Sequence, residues 1–140
     1  RDKIDLKPVM TLRSGIVQIK KVKRGESVSY ARKFTAERDS IVAAAPIGYA
    51  DGYPRHLSNI GEVIIRGKIA KVAGLVCMDL LMIDVTDIPE VSVGDKVVLW
   101  GVEMHVDELA RKAETISYEL FCRVSGRVPR VYKRDKICKE

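Results

Sequence analysis

Four segments hold more polar and aromatic side chains than packing alone requires. Tyr30 closes Gly25-Glu26-Ser27-Val28-Ser29-Tyr30. Tyr49 and Arg55 lie in Pro46-Ile47-Gly48-Tyr49-Ala50-Asp51-Gly52-Tyr53-Pro54-Arg55. Met78 and Asp79 end Gly74-Leu75-Val76-Cys77-Met78-Asp79. Thr115-Ile116-Ser117-Tyr118-Glu119 is followed by Arg127-Val128-Pro129-Arg130. A phenol can carry a proton, but its ordinary pKa of ~10 makes it a poor base near neutrality unless a cation favours the phenolate. Taken singly, each residue also has a plain structural reading. Tyr30 reads as a rim tyrosine on a strand, with its hydroxyl in water. Tyr49-Ala50-Asp51-Gly52 reads as a turn built on Asp-Gly chemistry. Met78 reads as core filler, and Arg127 and Arg130 as surface charges.

Other chemistries find no support. No Ser-His-Asp set, phosphate-binding glycine loop or paired metal ligands can be assembled. His56 and His105 are the only histidines and form no HExxH pattern, so no metal is expected. His56, in Pro54-Arg55-His56-Leu57, reads as a surface loop residue. Cys77, Cys122 and Cys138 are odd in number and lack CxxC spacing, which argues against a disulfide framework and a structural zinc. Free thiols fit a reducing cytoplasm.

The elements that must hold these segments read as mainly β. Met10 and Leu12 alternate with Thr11 and Arg13, and Val17 and Ile19 with Gln18 and Lys20. That is the period of half-buried strands. Arg24-Gly25-Glu26 reads as a turn. The apolar run from Ile41 to Ile47 reads as a buried strand. Val63-Ile64-Ile65 and Ile69-Ala70-Lys71-Val72 flank Arg66-Gly67-Lys68 as a hairpin. Leu81 to Val85 and Val97 to Trp100 read as further strands. Helix signals gather in the C-terminal third. Val106 to Ala113 has acids in its first turn, and Thr115 is placed to cap a second short helix reaching Cys122. The expectation is a closed or partly open β-barrel with one or two short helices.

The chain has 140 residues, 46% hydrophobic and 31% charged. That is one domain with a real core, not a disordered chain. No stretch approaches the ~20 apolar residues of a membrane-spanning helix, and no signal peptide is visible at Arg1-Asp2-Lys3-Ile4-Asp5. The abrupt start without Met is the mark expected of a fragment or a processed chain. The net charge of +6 is unevenly spread. Residues 1–38 carry eleven basic and four acidic side chains, and residues 121–140 carry seven and two. Basic ends can mark a nucleic-acid module. Only two Phe and one Trp join the five Tyr available for base stacking, so solvated surface or attraction to an anionic small molecule or acidic partner surface is the better reading.

In order and spacing, these segments resemble the C-terminal β-domain of alanine racemase, a pyridoxal-phosphate-dependent family. Leu6-Lys7-Pro8-Val9-Met10 is similar to the start of that domain, and Val28-Ser29-Tyr30 to its catalytic tyrosine segment. Pro46-Ile47-Gly48-Tyr49-Ala50-Asp51-Gly52, Cys77-Met78-Asp79, Asp84-Val85-Thr86, Thr115-Ile116-Ser117-Tyr118-Glu119 and Arg127-Val128-Pro129-Arg130-Val131-Tyr132 complete the series. It covers nearly the whole of residues 1–140. The resemblance implies an enzyme that interconverts L- and D-alanine through a pyridoxal 5'-phosphate aldimine, for peptidoglycan of the cell wall. The Schiff-base lysine would lie in an N-terminal β/α barrel that this chain lacks, so the chain alone is expected to be inactive. The enzyme would be a cytoplasmic head-to-tail homodimer in which this domain completes the partner's site. Tyr30 is then the acid/base on the L face of the substrate. Met78 binds the substrate carboxylate through its backbone. Tyr49 lines the same site near the cofactor phosphate. Asp79 orients its neighbours, and Arg55 lines the substrate corridor.

The chain departs from the family pattern at several positions. Leu75 stands where an arginine is common. Ala31 replaces a glycine after the tyrosine, and Leu80 replaces a glutamine after Met-Asp. Gly126 stands where some racemases have a tyrosine. The interval from Tyr49 to Met78 is about one residue long. Leu75 and Gly126 together would widen the corridor, which keeps serine or another small amino acid open as substrate beside alanine. The β-domain of a related pyridoxal-phosphate decarboxylase also stays open as a reading, as does, outside enzymes, a basic β-barrel binding module.

Overall fold

The computed structural model describes residues 7–133. Among the described residues nine strands run in chain order: β1 (Leu12–Gly15), β2 (Gln18–Val22), β3 (Ser27–Val28), β4 (Phe34–Thr35), β5 (Ser40–Ala45), β6 (Glu62–Ile65), β7 (Lys68–Val72), β8 (Leu81–Asp84) and β9 (Lys96–Trp100). Two helices follow, α1 (Val106–Lys112) and α2 (Ser117–Arg123). Seven strands form one antiparallel sheet in the order β1-β9-β6-β7-β8-β5-β2, and β3 pairs only with β4.

The two edges of the large sheet are consecutive in sequence. Only Ile16 and Val17 separate β1 from β2. Ile16 still donates to Asp95 O on the β9 side at 2.9 Å, and Val17 already donates to Ala44 O of β5 at 2.9 Å. One extended stretch therefore serves both edges and pulls the sheet into a half-barrel. This is the partly open form of the expected barrel, with β1 and β2 as its two edge strands.

The alternation seen in the sequence is the inside–outside pattern of these strands. Val63, Ile65, Val72, Leu81, Ile83, Val97 and Leu99 are buried around Trp100, and Leu109, Leu120 and Val124 from the helical region seal the core. The β6–β7 hairpin turns through Arg66 (φ 51°) and Gly67 (φ 73°). Two left-handed residues match the twist of the flanking strands. A second, smaller cluster of Val22, Ala36 and Val42 packs Val28 and Phe34 of the β3–β4 hairpin against the sheet. That cluster docks the hairpin whose tip carries Tyr30.

Two local expectations change. The strand reading for Tyr30 ends two residues early. β3 stops at Val28, and Tyr30 begins a 3₁₀ turn, Tyr30–Arg32, flanked and threaded by positive φ at Ser29 (69°), Ala31 (55°) and Arg32 (51°). The cap of α2 is Ile116 rather than Thr115. The Thr115 hydroxyl instead meets the Glu119 carboxylate, so it is spent on a side chain and not on the helix amides.

Candidate active site

Tyr30, Tyr49, Arg55, Met78 and Asp79 all line one groove of about 700 Å³, together with Ser29, Leu75, Val76, Cys77, Leu80 and Met82. Three separate stretches of chain supply them. Tyr30 comes from the β3–β4 tip. Tyr49 and Arg55 come from two short 3₁₀ turns after β5, Tyr49–Asp51 and Arg55–Leu57. Leu75 to Leu80 form the loop between β7 and β8.

Glycine makes the central junction possible. A Cβ on Gly48 would lie 2.2 Å from Cys77 O and 2.5 Å from Met78 O, so only glycine lets the two loops touch. Tyr49 N–H then donates to Cys77 O at 3.0 Å, and Ala50 N–H to Met78 O at 2.9 Å. Tyr49 and Met78 are fixed to each other through backbone, which makes their spacing insensitive to side-chain motion. The Met78 amide has no partner among the described residues and is free to donate.

Asp51 is buried in the turn behind Tyr49. One oxygen accepts from Gly48 N–H at 2.8 Å, and the other accepts from Arg127 Nε at 2.6 Å. Ser125 N–H donates to Asp51 O at 3.1 Å. Arg127 is half exposed, as a surface charge would be, but it has a buried partner. A charge-assisted bond to a buried carboxylate holds it, and Asp51 pushes the guanidinium pKa further up, with Asp79 adding a smaller push. Arg130 also has a structural job. It donates to the carbonyls of Val124, Ser125 and Val128, and so ties the chain leaving α2. Neither role is readable from residue type. The signal is the recurrence of Asp-Gly and Arg-Val-Pro-Arg in one motif series.

The other candidates are open to the groove. Tyr30 is 72% exposed and Met78 56%, while Tyr49 is less so at 43%. Among the described residues, neither phenol oxygen nor the Arg55 guanidinium has a hydrogen-bond or ion-pair partner. Leu75 adds apolar wall where an arginine would add charge. A Cβ on Gly126 would meet nothing within 4 Å, so that position offers open space. Ala31 occupies the left-handed region that glycine favours, at φ 55°. His56 is exposed as expected, but it lies in the 3₁₀ turn Arg55–Leu57 rather than a loop, 3.8 Å from Glu114. Cys77 and Cys122 are free thiols, and Cys138 lies outside the described residues. No group of potential metal ligands occurs among the described residues, and no helix there is long and apolar enough to cross a membrane.

Comparison with known proteins gives the family of the chain. Residues 9–132 match the family model described as "Alanine racemase, C-terminal domain". Alanine racemase 1 of Clostridium acetobutylicum is 52% identical over 136 residues, covering 94% of this chain and 35% of that protein. The crystal structure of biosynthetic alanine racemase from Pseudomonas aeruginosa superposes with a TM-score of 0.89 at 44% identity, over 92% of this chain and 36% of that one. Alanine racemase from Bartonella henselae with covalently bound pyridoxal phosphate gives a TM-score of 0.85 at 31% identity, over 88% of this chain and 34% of that one. The chain thus spans about a third of the length of these relatives. It belongs to the alanine racemase C-terminal domain family.

Proposed function

We propose that this chain is the β-domain of a pyridoxal-phosphate-dependent alanine racemase and that its groove forms one wall of the active site of a partner subunit. The supporting observation is convergence: five residues from distant segments meet on one open groove, with the Tyr30 and Tyr49 hydroxyls, the Arg55 guanidinium and the Met78 N–H unbonded among the described residues. The residues present fit one wall of a cofactor site. Two phenols and one guanidinium stand among apolar side chains, and no lysine lines the groove, so a covalent anchor would come from outside the described residues. Tyr49 would lie near the cofactor phosphate. Pyridoxal 5'-phosphate, when bound, supplies the electron sink for loss of the α-proton.

This chain's own part is proton handling and orientation. As phenolate, the Tyr30 oxygen takes the α-proton of L-alanine, and the phenol so formed returns one when the reaction runs backwards. A cation beside it in the assembled site would bring the phenolate into range. The free Met78 N–H binds the substrate carboxylate. Arg55 lines the corridor and draws the anionic end of the substrate inward, and Asp79 orients its neighbours. The exposed apolar rim of Tyr30, Met78 and Leu80 is surface that a partner would cover. That fits a head-to-tail homodimer working in the reducing cytoplasm, where Cys77 and Cys122 remain thiols. No observation favours serine as substrate, the decarboxylase or the nucleic-acid module. The test is chiral chromatography of L-alanine incubated with the intact protein bearing this domain. D-Alanine should form only with pyridoxal phosphate present, and the 140-residue chain alone should form none. Absence of D-alanine from the intact protein would overturn the reading.

A further inference from the structure

Tyr30 stands on a turn whose backbone is locally unfavourable. Ser29 has φ 69° and ψ 171°, a region that glycine occupies freely and side chains rarely adopt. Ala31 and Arg32 follow at φ 55° and 51°. If only the backbone shape mattered, glycine would be the better residue at position 29. The serine side chain has a use that offsets the strain. Its Oγ accepts from Leu75 N–H at 3.0 Å and donates to Leu75 O at 3.2 Å. One hydroxyl thus satisfies both main-chain groups of a residue 46 positions away.

The other end of the turn is held to the same place. Asn59 Nδ2 donates to Lys33 O at 3.0 Å, while its Oδ1 accepts from Gly74 N–H at 2.6 Å. Asn59 N–H returns a bond to Gly74 O at 3.0 Å. Gly74 is glycine for a steric reason as well as its φ of 88°: an added Cβ would lie 2.3 Å from Ser29 Cβ. Both ends of the Tyr30 turn are therefore latched to Gly74-Leu75, and Met78 lies three residues further on.

We propose that Ser29 is a positioning residue, whose hydroxyl fixes the Tyr30 phenol relative to the Met78 loop by bonding both main-chain groups of Leu75. It touches no reacting atom. It acts by keeping the proton carrier and the carboxylate site in one rigid unit, with Asn59 as the second latch. A phenol displaced by about 1 Å loses on the order of a hundredfold in rate, so the effect falls on proton transfer and not on substrate affinity. This inference rests on the role given to Tyr30 above.

The test uses the intact racemase carrying this domain, with Ser29→Gly and Ser29→Ala. Ser29→Gly removes the hydroxyl while relieving the backbone, so its melting temperature reports folding separately from position. The readout is α-deuterium washout from L-alanine and from D-alanine, with KM for each. Both variants should lose about tenfold to a hundredfold in kcat for washout from L-alanine, with KM and the D-alanine rate little changed, while Ser29→Gly melts close to the wild type. Equal loss for both enantiomers would mean a general structural role and overturn the proposal, as would wild-type L-alanine rates in Ser29→Gly. Tyr30→Phe, run alongside, separates the two claims. If it spares L-alanine washout, the role of Tyr30 fails. If it abolishes that washout while Ser29→Gly does not, only the positioning role fails.

Discussion

Arg127 Nε lies 2.6 Å from the buried Asp51 carboxylate, across 76 residues of sequence. The same carboxylate closes the turn that carries Tyr49 by accepting from Gly48 N–H. The groove wall and the chain beyond α2 therefore share one ionic peg. Asp51→Asn keeps the shape and removes the charge. Because Arg127 is half exposed, solvent screens the pair and the expected cost is modest. Urea melts of Asp51→Asn, Arg127→Gln and the double variant give the coupling directly. A double variant as destabilised as the sum of the two singles would show that the pair contributes nothing.

Gly48→Ala should be costlier than its chemistry implies. The residue is extended, so no backbone penalty applies, but the new methyl meets two backbone oxygens that cannot rotate away. Overpacking of this kind costs about 1–3 kcal/mol. The Tyr49–Cys77 and Ala50–Met78 bonds should break together. Thermal melts and the labelling rate of the Cys77 thiol check this, with a lower melting temperature and faster labelling expected.

Tyr53 carries a pH dependence of stability. Its hydroxyl is fully buried with no hydrogen-bond partner among the described residues, and burial pushes the phenol pKa well up, with the Glu62 charge adding to the push. The folded chain thus keeps this proton at pH values where the unfolded chain, near the ordinary ~10, releases it. Its contribution is complete below pH ~10 and is lost as the pH rises above that. Tyr53→Phe should flatten the alkaline limb of a stability–pH curve. At pH 7 it should change stability by no more than about 2 kcal/mol, and in the stabilising direction if the orphan hydroxyl dominates. An unchanged alkaline limb would contradict this account.

Much of the fold is legible in the sequence because alternation is a local property. Val63-Ile64-Ile65, Arg66-Gly67 and Ile69 to Val72 mark a hairpin by period and turn chemistry alone, and α1 declares itself by acids at its start and basic residues at its end. The site residues are legible only as an ordered series of motifs. What stays hidden depends on long-range contacts. Nothing in Ser29 or Ala31 announces a positive φ, so pattern alone carries Tyr30 onto a strand that stops at Val28. Thr115 has the right chemistry for a cap, and its competitor is a side chain four residues on. Arg127 looks like any surface arginine until the fold brings Asp51 beside it.

The central claim is that Tyr30 handles the proton on one face of the substrate only. Deuterium washout from α-deuterated L-alanine and D-alanine, catalysed by intact Tyr30→Phe enzyme, tests it most directly. Washout from L-alanine should fall by about a hundredfold to ten-thousandfold, while washout from D-alanine persists near the wild-type rate. Equal washout from both enantiomers, whether lost or retained, would contradict the account.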